Sequence, residues 1–399
     1  MLSIRDKEKC CGCSACIEIC PKKCIKKQID SEGFAYPIID TSLCINCKLC
    51  EKVCPYTIYS KRKKPKIVYA AKSRKPDVLK NSSSGGIFFE LAQYVISKGG
   101  VVFGTKLNSK WMTEITSVES IELLRPIMGS KYIQSDNNYS YSKCLSFLKA
   151  KKPVLFSGTP CQIAGLKQYL RKDFENLLLV EVACHGAPSP LVWNKYLLEL
   201  IKNIEINEND GEALPISEIS FREKVSGWER YNLCIHFKHD YRKLTFRQEH
   251  SDNIYMKAFG NNLILRPACY SCHFKKFSSN SDLTLADFWG VKKFHPQLYD
   301  EQGVSLILVN SEKGKEVIDK LQIHKIESSY KSAVFFNEAL LRPARRNKKR
   351  NKFFQEFQHA GSVICLLEKY EKQSKVSILH NKIEYIIKSI IKRIKYQII

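Results

Sequence analysis

The chain has 399 residues, of which 44% are hydrophobic and 26% are charged, an ordinary composition for a globular protein. It is long enough for two or three domains with a sizeable core. No apolar run reaches the ~18 residues that a membrane-spanning helix needs, and the first seven residues contain no apolar stretch of the signal-peptide type. These features argue against a secreted or membrane-spanning protein and predict a cytoplasmic one.

The net charge of +25 is concentrated in two parts of the chain. Residues 61–75 contain eight basic and no acidic residues, and residues 340–399 contain fifteen basic and four acidic residues. A nucleic-acid enzyme would more naturally spread its positive charge along a groove in its main domain. We therefore expect no nucleic-acid partner.

Ten of the seventeen cysteines lie within residues 10–54, and eight of these ten form a repeat. The spacing C-x2-C-x2-C-x3-C-P begins at Cys10 and occurs again from Cys44. In two-cluster ferredoxins each such motif lends its last cysteine to the other cluster, so the repeat predicts two [4Fe-4S] clusters. The two predicted ligand sets are Cys10, Cys13, Cys16 and Cys54 for one cluster, and Cys44, Cys47, Cys50 and Cys20 for the other.

Two zinc sites are the alternative, but zinc prefers ligands in C-x2-C pairs, which two triplets with a trailing Cys-Pro fit poorly. Residues 25–29 and 34–39 predict a β-hairpin between the two motifs. Cys11 and Cys24 fall outside the spacing and are predicted to pack as small apolar side chains. Residues 1–58 therefore resemble a bacterial dicluster ferredoxin domain.

A charged stretch, residues 59–66, is predicted to be a linker to the rest of the chain. Beyond it a strand at 67–71, a helix at 87–98 and a strand at 101–105 predict a β–α–β unit. The helix follows the sequence Asn-Ser-Ser-Ser-Gly-Gly. Such a loop suits an anion site at the helix N-terminus, and a plain capped helix is the equal alternative.

Two further strand–helix units carry cysteines at their turns. Cys161 follows a predicted strand at 153–157, and Cys184 follows one at 177–183. If these strands are parallel neighbours, both cysteines emerge at the carboxyl edge, where open α/β sheets bind ligands.

An isolated C-x2-C pair, Cys269 and Cys272, adds two more thiols. A third cluster on four thiols is one interpretation of these turns. The alternatives are a redox dithiol at the pair, a zinc site with His273, and a nucleophilic cysteine assisted by His185. Three isolated cysteines are predicted to pack in the interior: Cys144, Cys234 and Cys365.

Seven short motifs occur in the body of the chain, in the following order. They are Ser83-Ser84-Gly85-Gly86, Gly129-Ser130-Lys131-Tyr132-Ile133-Gln134-Ser135, Gly158-Thr159-Pro160-Cys161-Gln162, Ala183-Cys184-His185-Gly186, Phe221-Arg222-Glu223-Lys224, the Cys269/Cys272 pair and Asp287-Phe288-Trp289-Gly290. Together they resemble the beta-subunit family of coenzyme F420-dependent hydrogenases and dehydrogenases over residues 67–345. The resemblance implies an α/β domain that binds FAD, and it favours a third [4Fe-4S] cluster on the body's cysteines. The ligands it implies are Cys161, Cys184, Cys269 and Cys272.

The resemblance also implies the residues of the flavin site. The implied cofactor-binding residues are Ser83, Ser84, Gly85, Gly86, Ser130, Lys131, Tyr132, Gln134, Thr159 and Asp287. His185 as a donor beside the flavin, and Lys131 against its diphosphate or ring, are the candidate catalytic residues. A helix-capping histidine and an exposed lysine are the alternatives. Trp289 borders the pocket on the same reasoning, with a place in the core as its alternative.

Residues 346–399 are predicted to form a basic tail. Within the tail, residues 375–399 repeat apolar side chains at helical spacing between lysines, which predicts an amphipathic basic helix. Its apolar face suits the protein's own body, an anionic membrane surface or a partner helix. Binding to an anionic membrane surface would place the protein at the inner membrane face.

The predicted fold class is an α+β ferredoxin-like dicluster domain fused to an α/β flavin-binding domain, with a basic helical C-terminal tail. The predicted function is an iron–sulfur flavoprotein oxidoreductase that passes electrons between [4Fe-4S] clusters, FAD and a hydride-type substrate. That substrate is F420-like or a polysaccharide-pathway intermediate. The predicted partners are an electron donor or acceptor protein or a reduced coenzyme. A non-catalytic electron-transfer subunit is the alternative, and a redox-inactive interaction protein is a third hypothesis.

Overall fold

The structure is a computed structural model that describes residues 6–57, 64–208, 211–238 and 244–372. The amphipathic helix predicted at 375–399 lies outside the described residues, as does most of the predicted linker.

Thirteen strands lie within the described residues, and they form three sheets. The strands are β1 Ile25–Ile29, β2 Ala35–Ile39, β3 Ile67–Ser73, β4 Val101–Leu107, β5 Thr113–Val118, β6 Val154–Gly158, β7 Leu177–Val182, β8 Ile216–Glu223, β9 Asn232–Phe237, β10 Thr245–Glu249, β11 Leu283–Asp287, β12 Ser305–Val309 and β13 Ile323–Ser328. β1 and β2 form the hairpin predicted between the two cysteine motifs. β8, β9 and β10 form a three-stranded antiparallel sheet, and the other eight strands form one large mixed sheet.

Helices cover both faces of the large sheet, and the turns that connect them to the strands lie at its edges. The α-helices of the described residues are α1 Ala15–Glu18, α2 Leu49–Lys52, α3 Pro76–Lys80, α4 Ile87–Ile96, α5 Ser140–Lys149, α6 Pro160–Leu170, α7 Pro190–Glu208, α8 Ile254–Gly260, α9 Val291–Phe294, α10 Glu312–Lys320, α11 Tyr330–Phe335, α12 Glu338–Leu341, α13 Arg350–Phe357 and α14 Val363–Glu371. Short 3-10 turns lie at Lys7–Lys9, Arg125–Ile127, Pro267–Cys269 and Pro296–Leu298.

The strand order of the large sheet brings the predicted turns to one edge. The order is β13-β3-β12-β11-β7-β6-β4-β5. β4, β6, β7 and β11 are parallel. Because β12 is antiparallel to both β11 and β3, β3 runs in the same direction as these four strands. The carboxyl ends of five strands therefore meet at one edge, and the parallel arrangement predicted for the strands before Cys161 and Cys184 is confirmed.

The sheet is buried on both faces, as its continuous apolar strands require. Alternate residues of β4 face opposite layers: Val102 packs with Leu91 of α4, whereas Val101 and Phe103 pack with Leu166 of α6. This two-sided burial fixes the positions from which the strand ends project.

The N-terminal cysteine segment packs directly on this body. Phe34, at the hairpin, lies in a core cluster with Phe354 of α13, with the ring centroids 6.4 Å apart. On the other side, Cys13 meets Gly165 of α6, where an added Cβ would lie only 2.9 Å from the Cys13 Cβ. The ferredoxin-like segment therefore shares its core with the rest of the chain.

The structure corrects the predicted boundary of the tail. Residues 350–371 form α13 and α14, and their apolar side chains lie in the core, among them Phe353, Phe357 and Leu367. Lys352 and Lys369 are exposed, whereas Arg350 is buried with the apolar side chains, so the net charge of this segment did not reveal its buried face. Cys365, predicted to be interior, is exposed because it lies on the outward side of α14. Cys144 and Cys234 are buried as predicted.

Across the described ranges, no helix has the length and apolar character needed to cross a membrane.

Candidate functional site

The first of two thiol-lined cavities lies at the exposed end of the N-terminal segment, and we call it the outer cavity. It opens to solvent. The thiols that line it are Cys20, Cys24, Cys44, Cys47 and Cys50. Four of these five are the ligand set predicted for one cluster, including the crossing ligand Cys20. Cys24 is buried as predicted, and its sulfur also lies 3.4 Å from the Cys20 sulfur.

The second cavity, the inner cavity, lies between the first cysteine motif, the hairpin and the turn at Cys54. The thiols that line it are Cys10, Cys11, Cys13, Cys16 and Cys54. Burial raises the pKa of the Cys16 thiol, and the nearby sulfurs of Cys10 and Cys54 raise it further. The structure therefore brings together the second predicted set, with its crossing ligand Cys54.

Four more thiols converge at the carboxyl edge of the large sheet, and we call them the body thiol set: Cys161, Cys184, Cys269 and Cys272. Burial raises the pKa of the Cys269 thiol, and the other three sulfurs raise it further. Burial, together with the nearby Cys161 sulfur, raises the pKa of Cys184 to about 12 and that of Cys272 to about 11. The Ala187 amide donates a hydrogen bond of 3.3 Å to the Cys269 sulfur, which fixes its position beside the Cys184 turn.

Cys11 and Tyr56 lie between the inner cavity and the body thiol set, since both residues line the inner cavity. Hydrogen bonding to Cys11 raises the pKa of the Cys161 thiol, and burial raises it further. The Tyr56 ring stacks on His273 at 4.7 Å, directly after Cys272. The packing role predicted for Cys11 is therefore incomplete: it packs against the core and also contacts a thiol of the body set. The His273 side chain, weighed above as a zinc ligand, contacts the Tyr56 ring in this structure.

The serine–glycine loop before α4 is held by the edge of the sheet. The Ser130 amide donates a 2.7 Å hydrogen bond to Ser83 Oγ, which joins two of the motifs. The Gly85 amide donates to Ser305 Oγ at 2.9 Å. The Ser84 Oγ is buried and has no hydrogen-bond partner among the described residues. This loop thus places one unpartnered hydroxyl at the edge.

Asp287, predicted to contact the cofactor, is occupied by protein groups. It accepts hydrogen bonds from Arg222 Nη1 at 2.6 Å and from Trp228 Nε1 at 3.1 Å. Arg222 is buried, and within the described residues its Nε and Nη2 find no partner. The N–H donors beside Asp287 that have no partner among the described residues therefore belong to Arg222. Trp289 stacks on Trp228 at 4.9 Å and is 37% exposed, so it lies at the rim and outside the core.

Tyr132 and His185 both contact the ring of Phe259. The Tyr132 ring stacks on Phe259 at 4.8 Å, and the His185 ring meets it edge-on at 5.1 Å. Burial lowers the pKa of His185, whose Nε2 is 2.5 Å from Asn262 Oδ1. The histidine is therefore oriented by the Asn262 side chain and by a hydrogen bond to the Phe259 backbone in the last turn of α8, which agrees with the helix-capping alternative.

Lys131 is only partly exposed, and its ammonium group donates to the carbonyl oxygens of Met128 at 2.7 Å and Gly129 at 3.3 Å. Desolvation lowers its pKa to about 7. A lysine with this pKa exchanges a proton near neutral pH, whereas an exposed lysine with the usual pKa stays protonated there.

Gln134 and Thr159 lie on the cluster side of the edge. Gln134 Nε2 donates to the Cys11 carbonyl at 3.1 Å, and its Oε1 accepts from Arg266 Nη1 at 3.1 Å. Thr159 caps α6, with its Oγ1 3.2 Å from the Cys161 sulfur. The structure places both side chains beside predicted cluster ligands and away from the serine loop, because the motifs fix chain position but not side-chain direction.

Two buried cations were not assigned roles by the sequence patterns, namely Arg266 and Lys275. Arg266 contacts the inner cavity through Cys10. Lys275 donates to the backbone carbonyls of Cys184 and Ala339. Each lies within three residues of a cysteine of the body thiol set, and that proximity is the signal in the sequence that could have marked them.

The donor chemistry of both cavities fits iron–sulfur clusters. The described residues that line each cavity include four thiols at the predicted positions and no carboxylate. Among the described residues, no group of three or more His, Cys, Asp or Glu side chains is arranged for a single metal ion. A four-iron cluster separates its thiolates more widely than a single ion does. At the edge of the sheet, the unpartnered atoms of Arg222 and Ser84 fit the phosphate or ring oxygens of a flavin nucleotide.

Comparisons with known proteins find a matching family for two segments of the chain. Residues 9–58 match the family of 4Fe-4S dicluster domains. Residues 151–329 match the family described as the C terminus of the beta subunit of coenzyme F420 hydrogenase/dehydrogenase. The resemblance inferred from the cysteine repeat and the seven motifs is confirmed, and the chain carries the 4Fe-4S dicluster domain at its N-terminal end.

The structure is also similar to a chain of the F420-reducing [NiFe] hydrogenase complex from Methanosarcina barkeri, with 14% sequence identity and a TM-score of 0.41. That similarity covers 77% of this chain and 92% of the other. No curated protein matches the sequence.

Proposed function

We propose that this chain, with its 4Fe-4S dicluster domain followed by a region of the F420 hydrogenase/dehydrogenase beta-subunit type, is an iron–sulfur flavoprotein oxidoreductase. Its substrate class is a hydride acceptor or donor, either a deazaflavin of the F420 type or an intermediate of polysaccharide synthesis. A bound FAD would exchange electrons singly with clusters and exchange a hydride with the substrate.

The observation that carries the proposal is the position of the body thiol set. Cys161, Cys184 and the pair Cys269 and Cys272 meet at the carboxyl edge of the sheet, and Cys11 joins them to the inner cavity. The thiols of the chain therefore form a series from the exposed outer cavity, through the inner cavity, to the edge of the sheet. A third [4Fe-4S] cluster on the body thiol set would extend electron transfer to this edge.

The chain's own groups at the edge suit a flavin nucleotide. Arg222 has two buried guanidinium nitrogens without a partner among the described residues, and its guanidinium lies 4.4 Å from the Tyr231 ring centroid and 5.7 Å from that of Trp289. Ser84 offers a buried hydroxyl, and the Ser83–Ser130 hydrogen bond holds the loop that carries it. We propose that Arg222 binds a phosphate or ring carbonyl and that Ser84 binds the nucleotide.

Two groups near this edge are able to act on the substrate. Lys131, with a pKa of about 7, is able to donate or accept a proton at its Nζ near neutral pH. His185 is held in one orientation by Asn262 and by the Phe259 backbone. We propose that Lys131 balances the proton that accompanies hydride transfer and that His185 orients the reacting partner.

Anaerobic purification followed by measurement of iron, sulfide and flavin tests the cofactor content. We expect about twelve irons and one FAD per chain. The variant Cys272→Ser should lose about four irons and keep the dicluster signals, whereas Cys144→Ser, which replaces a buried thiol outside all three sets, should lose none. About eight irons in the wild type, or the same loss in both variants, would contradict the third cluster.

The flavin site has its own test. Arg222→Leu should lower the FAD content, whereas Arg230→Leu, which removes an exposed arginine paired with Glu249, should leave it unchanged. Steady-state turnover with a low-potential donor and F420 then tests the activity. A chain that binds FAD and is reduced, but turns over neither F420 nor a nucleotide-sugar intermediate, would support the non-catalytic electron-transfer subunit instead.

A further inference from the structure

Arg266 is a fully buried arginine that contacts residues lining the inner cavity. Its Nε donates to the Cys10 carbonyl at 2.7 Å, and its Nη2 donates to the Ala35 carbonyl at 2.9 Å. Nη2 also lies 3.5 Å from the Cys10 sulfur, and Nη1 donates to Gln134 Oε1 at 3.1 Å. The guanidinium is therefore held by neutral groups and directed at a predicted cluster ligand.

The charge of Arg266 has no carboxylate partner within the part of the chain that the structure describes. Two other buried arginines do have one: Arg222 pairs with Asp287, and Arg350 pairs with Glu32. The rings of Tyr36 and Phe34 face the Arg266 guanidinium at 4.2 and 5.5 Å and compensate its charge only in part. A buried cation of this kind requires negative charge nearby.

Thiolates bound to a cluster in the inner cavity would supply that negative charge. One-electron reduction by an external carrier adds one negative charge to such a cluster, oxidises the carrier by one electron, and makes or breaks no bond. A fixed positive charge and a hydrogen bond at the sulfur both favour the reduced state. We infer that Arg266 sets the reduction potential of the inner cluster and makes it the more easily reduced of the two.

The outer cavity lacks an equivalent buried charge among the described residues that line it. Its basic lining residues, Lys22 and Lys48, are exposed, so solvent and salt screen their charges. The difference gives the electron path a direction. An electron that reaches the outer cluster moves inward, and the chain delivers reducing equivalents from an outside carrier to the edge of the sheet.

This inference rests on the cluster assignment of the proposed function but not on the third cluster or the flavin. The test is an anaerobic redox titration of the full chain with low-temperature electron paramagnetic resonance, which follows each reduced cluster separately. In the wild type, we expect the inner cluster to be reduced first. Arg266→Met should shift the equilibrium between the two clusters at least tenfold toward the outer one, equivalent to 59 mV for a one-electron couple.

Arg266→Lys keeps the charge and should restore most of the wild-type order of reduction. The control is the double variant Glu32→Gln/Arg350→Met, which removes a buried guanidinium with its carboxylate and leaves the local net charge unchanged. We expect no shift in this control. A shift of the same size there would show a general packing effect and overturn the inference.

Gln134→Glu provides a second variant if Arg266→Met loses the inner cluster. Its carboxylate would lie beside Arg266 Nη1 and neutralise the cation without removing the arginine. The inner potential should fall here as well. Unchanged potentials in variants that retain about eight irons and both signals would overturn the role of Arg266, whereas a wild-type chain without cubane signals would overturn the proposed function itself.

Discussion

At the scale of single residues, Lys131 shows how the fold changes the chemistry of an ordinary side chain. Desolvation lowers its pKa from the usual 10.5 to about 7. Between these two pH values the unfolded chain binds a proton that the folded chain does not. The free energy of unfolding contributed by Lys131 therefore rises as the pH rises from 7 toward 10.5, and the residue destabilises the fold at pH 7 and below.

Lys131→Met should remove this dependence. We expect the variant to gain stability over the wild type at pH 6, with the gain shrinking steadily toward pH 10. Urea unfolding at several pH values measures it. Lys110→Met, at an exposed position, controls for the loss of one positive charge. A constant difference between Lys131→Met and the wild type over this range would contradict the prediction.

Single residues also show what sequence reasoning reached and what it missed. The spacing from Cys10 and Cys44 predicted both thiol sets with their crossing ligands, because each set depends only on loop length and a repeated motif. Gln134 was assigned to the flavin from its motif, yet it binds Arg266. The partners of a side chain depend on which distant segments fold against it, and Arg222 and Arg266 were missed for the same reason.

At the scale of elements, α6 packs against Cys13, a residue that lines the inner cavity, and the contact is made at Gly165. An added Cβ at Gly165 would lie 2.7 Å from the Tyr141 hydroxyl and 3.0 Å from the Cys13 sulfur. Tyr141 cannot move freely, since it is fully buried and donates to the Gln162 carbonyl. A larger residue would therefore push the helix away from a predicted cluster ligand.

Gly165→Ala should destabilise the protein by about 1–3 kcal/mol through overpacking, despite the better helix propensity of alanine, and should lower occupancy of the inner cluster. Thermal unfolding and iron content measure the two effects. Gly260→Ala in α8 is the matched control, because nothing lies within 4 Å of the added Cβ. We expect that variant to be neutral or slightly stabilised, and equal behaviour of the two would refute the packing argument.

The two C-terminal helices contribute to the core although the local charge suggests a solvated tail. Leu367 of α14 is fully buried, whereas Leu198 of α7 is 60% exposed. Leu367→Ala should lower the free energy of unfolding by about 2–5 kcal/mol, and Leu198→Ala by less than about 0.5 kcal/mol. Chemical denaturation of both variants checks this, and similar values for the two would restore the tail interpretation of residues 350–371.

The elements themselves were predicted best where the apolar pattern was continuous. The buried strands before Cys161 and Cys184 and the hairpin of the N-terminal segment were predicted within a few residues. The position of β12 between β3 and β11 was not predicted. Strand order depends on long-range pairing, which a local pattern does not contain.

At the scale of the whole molecule, exposure falls from the outer cavity to the edge of the sheet. Leu43 and Ile45, beside the outer cavity, are 54% and 58% exposed, and Cys47 is exposed as well. The inner cavity is lined in part by the hairpin, and Arg266 of the body contacts two of its lining residues, Cys10 and Ala35. The thiols of the outer cavity are therefore more accessible from solvent than those of the inner cavity.

The same gradient predicts the order in which iron is lost. An iron chelator added under argon should remove about four irons in a fast phase, with the signal of the inner cluster retained. Electron paramagnetic resonance and iron release measured together check this. Unfolding the protein in guanidinium first should merge the phases into one. Loss of the inner signal first would show that the body does not protect it.

The contacts of Arg350 and Arg266 also bear on how the protein is made. Arg350 binds Glu32 in the hairpin turn from beyond the sheet, and Arg266 closes over Cys10 and Ala35. The contacts around the inner cavity thus join segments that are synthesised far apart in time. Until Arg266 and Arg350 have been synthesised, the N-terminal cysteine segment lacks the contacts that hold it in the folded chain.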